Sequence, residues 1–197
     1  MDTIDLFAIP LFSDKINLDD QKVEIAWQSV NWDRPNRVSH DMDLLNTHFS
    51  FMMPQVKSFT RTVMDTMGFC DIDFHVFRSW ATITPKNLFS NYHKHTNSFL
   101  SGVIYFSDQT SPIVFENPYQ LTYSNNNWKD STYEVLKYSK NSSIVSPKKG
   151  DMIMFLSSIS HAISPNTFYE DRKSIAFNVV PIGTYGQKDS KISLIPE

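Results

Sequence analysis

The sequence predicts a mainly β protein with helices at its N-terminal end, and three observations carry that prediction. Short runs rich in β-branched and aromatic residues recur after residue 70, polar turn segments separate them, and helical spacing of apolar residues is confined to the part before residue 70. Many short strands joined by polar loops form a sandwich or a jelly roll, with the early helices packed on one outer face.

The elements follow in order. Asp19 and Asp20 stand ahead of Gln21–Trp27, and acidic residues at that place favour the positive end of a helix dipole, so a short helix is expected with Val23, Ile25 and Trp27 as its apolar members. Asp41–Phe49 reads as a second helix. Phe51, Val56, Phe59, Val63, Met64 and Met67 recur at spacings near three and four, which gives an amphipathic helix ended by Gly68. Strands are expected over Ile72–Ile83, Phe99–Phe106, Ile113–Glu116, Asp151–Phe155 and Ser174–Pro181, with breaks at Pro85–Asn87, Asp108–Pro112, Ser124–Trp128 and Pro147–Gly150. The stretch Pro118–Ser143 is polar and weakly periodic, either a lid over a site or a surface excursion.

The bulk properties exclude several classes. With 197 residues, 41% of them hydrophobic, the chain is long enough for one domain with a sizeable core, so a single domain over 1–197 is expected, with 1–70 as helical support and 71–197 as the β core. A net charge of -3 without a Lys or Arg block gives no electrostatic signal for nucleic-acid binding. The single Cys70 rules out an intrachain disulfide framework, and the start Met1-Asp-Thr-Ile-Asp5 lacks the features of a signal peptide. No apolar run approaches the roughly 20 residues that span a bilayer. A cytoplasmic protein is expected. Its substrate, small or macromolecular, and its oligomeric state are not legible; a homodimer is compatible.

The chemistry concentrates on three histidines. On a strand, where side chains alternate, His93 and His95 point to one side and both imidazoles can meet one ion, with His161 from a neighbouring strand as the third. Imidazole suits iron, zinc, copper and nickel alike, so these residues alone do not choose the metal. Arg172 and Ser174, also alternate, put a guanidinium and a hydroxyl on one face, where the planar fork of the arginine matches a carboxylate. The competing reading is an exposed pair of Arg172 with Glu170 or Asp171 at a surface turn. His40, His48 and His75 read as structural residues. Tyr92, Phe99, Tyr105 and Phe155 could wall a pocket, and a buried Tyr105 hydroxyl needs a partner.

At this point the chain resembles the 2-oxoglutarate- and Fe(II)-dependent oxygenases, in particular a group of bacterial and phage members. The matching stretches are Leu6–Leu11, His93–Tyr105, Phe115–Pro118, Gly150–Phe155, His161 and Arg172–Asn178, which together run through nearly the whole chain. The resemblance implies a double-stranded β-helix, a jelly-roll or cupin-like barrel, with Fe(II) at its open end held by His93, His95 and His161. It implies 2-oxoglutarate chelating the metal and salt-bridged to Arg172, with Ser174, Tyr105 and Asn178 around it, and O2 as the oxidant of a substrate C–H bond in a hydroxylase-type reaction.

One departure stands out. The usual triad of this superfamily is two histidines and a carboxylate, and His95 occupies the carboxylate's place. Two other assignments stay open: Glu116 as a ligand or as a partner of one, and His95 outside the coordination sphere with water in its place. A cupin-type metal enzyme would also carry H-x-H on a jelly roll, but the glutamate such proteins place soon after the second histidine is absent from Thr96–Gly102. A binding module on the same barrel, inactive or holding zinc, is the remaining alternative.

Overall fold

The computed structural model describes residues 8–33, 37–119 and 142–195. The front part contains β1 (Phe12–Lys15), α1 (Asp20–Gln28), β2 (Trp32–Asp33), β3 (Val38–Ser39) and α2 (Met53–Thr66), the last entered through a 3-10 turn, Ser50–Met52. Asp19 caps α1 by accepting from the Lys22 amide, and Pro54 sits in the first turn of α2, where its missing N–H costs nothing. The expected helix over Asp41–Phe49 is a set of turns instead. Asp41 takes the Asp43 amide and the Thr47 hydroxyl on its side chain, local bonds that compete with a helix, while Leu44, Leu45 and Phe49 are still fully buried. The first 70 residues also contribute three short strands, which join the large sheet.

The rest of the described chain is β4 (Asp73–Thr84), β5 (Leu100–Tyr105), β6 (Ile113–Glu116), β7 (Ser142–Val145), β8 (Asp151–Leu156), β9 (His161–Ile163), β10 (Arg172–Tyr185) and β11 (Ile192–Leu194). Two antiparallel sheets result: β1-β8-β5-β10-β4-β3-β2, with β11 added to β10, and the smaller β7-β6-β9. This is the mainly β jelly-roll architecture with N-terminal helices that the pattern of runs predicts. No helix among the described residues is long and apolar enough to cross a membrane.

Period-two alternation divides the large sheet into two faces. Leu100, Ile104, Met152, Met154, Ile175, Phe177 and Val179 face the helices and bury themselves against Trp27, Phe49, Val56, Phe59 and Val63. Gly102 lies on that face beneath the Phe177 ring, where a Cβ would come within 2.1 Å of the ring's Cζ; only glycine lets the aromatic lie flat on β5. The opposite face looks into the barrel. There Val103, Tyr105, Ile153 and Phe155 meet Ile113 and Phe115 of the small sheet in a second apolar cluster.

The inward face carries the polar residues in register. Asn178 of β10 pairs with Ser101 of β5 and Arg78 of β4; Ala176 pairs with Val103 and Trp80; Ser174 pairs with Tyr105 and Thr82; Arg172 pairs with Thr84. One sheet face thus runs from Asn178 to Arg172 along a single strand.

Candidate metal and dicarboxylate site

The three histidines converge, though not by the expected route. His93 and His95 are not part of a regular strand: His93 makes one isolated bridge with His161, each amide donating to the other's carbonyl at 3.0 Å, and the His95 amide donates to the Ser157 carbonyl. Their ring centroids lie 4.4 to 5.3 Å apart, and one nitrogen from each ring falls within 4.8 Å of the other two. The separation matches what one ion needs to gather them after a small closing movement, and three ligands on one side leave coordination positions open.

Each ring is oriented differently. Nδ1 of His93 lies 2.9 Å from the Asn91 carbonyl and Nδ1 of His161 lies 2.9 Å from the Ile159 carbonyl, so each donates there and leaves Nε2 as the free ligand atom. His95 has no such bond; its ring rests against Trp80, with centroids 5.6 Å apart, and its peptide is held by Ser157 and by the Ser98 hydroxyl. That serine leads into a buried chain, Ser98 to Ser157 to Ser101 to the Asn178 Oδ1, with links of 2.9, 2.8 and 3.0 Å. Asn178 therefore stands at the histidine end of the barrel, in the row of Ser101.

Burial favours the neutral form of His95 and His161. Only His93 is exposed, while His161 is 5% accessible and walled by Phe155 and Phe115, at centroid distances of 4.8 and 6.2 Å. Desolvation pushes the His161 pKa down to about 4, with His93 and His95 adding to the fall and the Ile159 carbonyl opposing it. His95 is lowered for the same reason, burial first and His93 second. A neutral ring is the form that binds a metal. The sign of the effect on stability follows. Above the unfolded pKa of about 6.5 His161 is neutral in both states, and below it only the unfolded chain takes the proton, so stability falls as the pH drops toward the folded pKa. Chelator-treated protein is expected to lose about 2 kcal/mol from this group between pH 7 and pH 5. Urea unfolding of wild type and His161→Gln at the two pH values measures it; equal losses in both proteins would contradict it.

Arg172 is inside the barrel. It is 1% exposed, its Nη1 donates to the Ser174 hydroxyl at 2.9 Å, and its guanidinium lies 5.0 Å over the Tyr105 ring. The surface pairing with Glu170 or Asp171 does not occur: Asp171 pairs with Arg37 at 3.1 Å and Glu170 accepts from the Gln109 amide. Among the described residues no carboxylate pairs with Arg172. Burial lowers its pKa and raises that of Tyr105, each partly relieved by the other.

Among the described residues, two buried polar atoms at this place have no hydrogen-bond partner, the Arg172 Nε and the Tyr105 hydroxyl. Buried donors of this kind are normally satisfied, and a lone buried charge is costly. A carboxylate would satisfy both the charge and the donors, so the residues present fit an acid bound within the barrel.

Glu116 lies outside the histidine cluster. In the β6–β9 pair Phe115 stands opposite His161 and takes the inward side, which turns Glu116 to the other face of the strand. Among the described residues the three histidines form the group able to hold a metal. Tyr92 is exposed; Phe99 packs on Phe69 in the helix-side core and away from the site, whereas Phe155 lies against His161. Of the proposed lid, residues 120–141 lie outside the described residues. Trp80 and the serine chain were missed by the reading of the sequence. Trp80 was findable, since it shares the β4 alternation that carries Thr82 inward.

The model of the "Putative 2OG-Fe(II) oxygenase" family matches residues 78–178, just over half of the chain. The chain belongs to this family. That span holds the three histidines, Tyr105, Arg172, Ser174 and Asn178, and the family's own description names its cofactor pair, Fe(II) and 2-oxoglutarate. Solved structures show the same fold. A 2OG-Fe(II) oxygenase family oxidoreductase from Burkholderia pseudomallei superposes with a TM-score of 0.58 at 11% identity, over 81% of this chain and 76% of that one. HygX from Streptomyces hygroscopicus, solved with nickel, 2-oxoglutarate and hygromycin B, gives 0.55 at 10% identity over 88% and 83%. The α-ketoglutarate-dependent epimerase SnoN from nogalamycin biosynthesis gives 0.58 at 13% identity over 90% and 81%. No curated protein matches the chain.

Proposed function

We propose that the protein is a 2-oxoglutarate- and Fe(II)-dependent dioxygenase that hydroxylates a substrate C–H bond. The observation that carries this reading is a pair of features in one barrel: three imidazoles with ligand atoms within 4.8 Å of one another and a buried guanidinium with no acid beside it among the described residues. Iron(II) and 2-oxoglutarate, when bound, supply dioxygen activation and the oxidative decarboxylation to succinate and CO2 that leaves one oxygen atom for the substrate.

The chain's own residues set the conditions. His93, His95 and His161 hold the metal, and the Asn91 and Ile159 carbonyls fix the tautomer of two of them. Arg172 and Ser174 take the distal carboxylate of the acid, and the Tyr105 hydroxyl reaches the same group. Three neutral ligands leave the metal's full positive charge in place, and that charge with Arg172 selects a dianion. Phe155 and Phe115 shield His161 from water on one side.

Incubating the protein with Fe(II), 2-oxoglutarate and air is expected to release succinate slowly even without substrate, with the rate abolished by a chelator. Succinate at the level of a protein-free control would reject the reading.

A further inference from the structure

The mouth of the barrel carries a cation that the site described so far does not use. Arg78 stands directly opposite Asn178 on the inward-facing column of β4, two residues from Trp80, the ring that rests against His95. Two residues of strand span about 7 Å. Unlike Arg172, Arg78 is exposed, and it has no hydrogen bond or ion pair among the described residues. Every other arginine among them is engaged: Arg37 with Asp171, Arg61 with Asp65 and two backbone carbonyls, Arg172 with Ser174.

The backbone marks the same place. The pairing of β10 with β4 is regular from Arg172 to Asn178 and then shifts, with Val179 opposite Val76, so Phe77 is an extra residue immediately beside Arg78. A bulge of this kind bends the strand and re-aims the neighbouring side chain, a device found next to active sites. Its place opposite Asn178, in the column that carries Trp80, puts this free cation on the strand face that the histidine-contacting ring shares.

We propose that Arg78 is a specificity-determining residue and that the substrate it selects carries an anionic group, carboxylate or phosphate. The proposal rests on the dioxygenase reading above and names the substrate class of that site. The planar fork takes either anion in bidentate fashion. Trp80 offers an apolar surface between that anion and the metal, which sets the oxidised carbon a short distance from the charged group.

The test uses full-length protein loaded anaerobically with Fe(II) and saturating 2-oxoglutarate, so that Arg172 is already occupied. Calorimetric titrations compare two aromatic anions with neutral aromatic probes, benzoate against the isosteric benzamide and phenyl phosphate against benzyl alcohol. At least one anion is expected to bind wild type roughly tenfold more tightly than its neutral partner, the size of a charge-assisted hydrogen-bonded contact, and Arg78→Gln is expected to bring that ratio near one. Which pair discriminates identifies the anion. Arg78 is exposed, so the variant keeps its fold and its 2-oxoglutarate complex. An absent preference in wild type, or one left intact in Arg78→Gln, overturns the proposal. The visible absorption of the loaded complex, recorded on the same samples, separates this failure from failure of the dioxygenase reading: a normal band without anion discrimination condemns only Arg78.

Discussion

His161→Ala is expected to abolish tight iron binding and all 2-oxoglutarate turnover while leaving the barrel folded. His161 joins the two parts of the site. Its backbone bridges to His93, and its ring, pinned through Nδ1 to the Ile159 carbonyl, is the most deeply buried of the three. The backbone bridge survives the substitution because it uses no side-chain atom. What is lost is the one imidazole whose orientation and neutrality the fold guarantees, and with it the ligand that His93 and the half-buried His95 close upon. The Phe155 and Phe115 rings lose a partner, so a modest loss of stability accompanies the change. Equilibrium dialysis with Fe(II) under nitrogen, with circular dichroism as the check on folding, measures both. Iron retained at one equivalent with wild-type affinity would remove His161 from the ligand set.

Arg172→Met is expected to separate stability from function. Among the described residues the buried guanidinium has no acid, so its desolvation is offset only by the Ser174 hydroxyl and the Tyr105 ring, and since even paired buried charges are often replaced by apolar side chains of similar volume at no cost or with a gain of about 1 to 4 kcal/mol, the substitution should not destabilise the ligand-free protein. The same substitution removes the partner of the distal carboxylate, a loss of about 2 to 5 kcal/mol in 2-oxoglutarate binding. The variant should therefore unfold at equal or higher denaturant than wild type in the absence of ligand and gain almost nothing from added 2-oxoglutarate, whereas wild type gains markedly. Urea titrations with and without the acid test both halves. A variant less stable than wild type without ligand and equally stabilised by 2-oxoglutarate would place the acid elsewhere.

These expectations depend on features that differ in how plainly the sequence shows them. The strands were legible because they are encoded locally: Ile113–Glu116 is a strand with the boundaries its apolar residues suggest, and Arg172 and Ser174 share a face because they alternate on β10. Amphipathic spacing marked α2 for the same reason. The turns over Asp41–Phe49 were not legible as turns, since the buried Leu44, Leu45 and Phe49 have helix-like spacing and only the Asp41 side chain, bonding to its neighbours, decides against a helix.

The histidines show the limit of local reasoning in another way. Their convergence was anticipated from strand alternation, yet His93 and His95 lie in irregular backbone, and the convergence comes from long-range pairing with His161 and Ser157. Tertiary hydrogen bonds of that kind leave no periodic trace in the chain. The serine chain to Asn178 is equally silent, because each of its serines is unremarkable where it stands in the sequence. Arg78 looks like any surface arginine in an alternating strand; only the register with Asn178 and the bulge at Phe77 bring it to the rim.

The central claim is that one ion and one dicarboxylate meet in this barrel, held by His93, His95, His161 and Arg172. It is tested most directly by adding Fe(II) and then 2-oxoglutarate to the protein under nitrogen and recording the visible spectrum. A metal-to-ligand absorption band that saturates at one equivalent of each, and that fails to form in either His161→Ala or Arg172→Met at the same concentrations, is the predicted result. A wild-type spectrum that stays flat while iron and the acid are both present in excess would contradict the account.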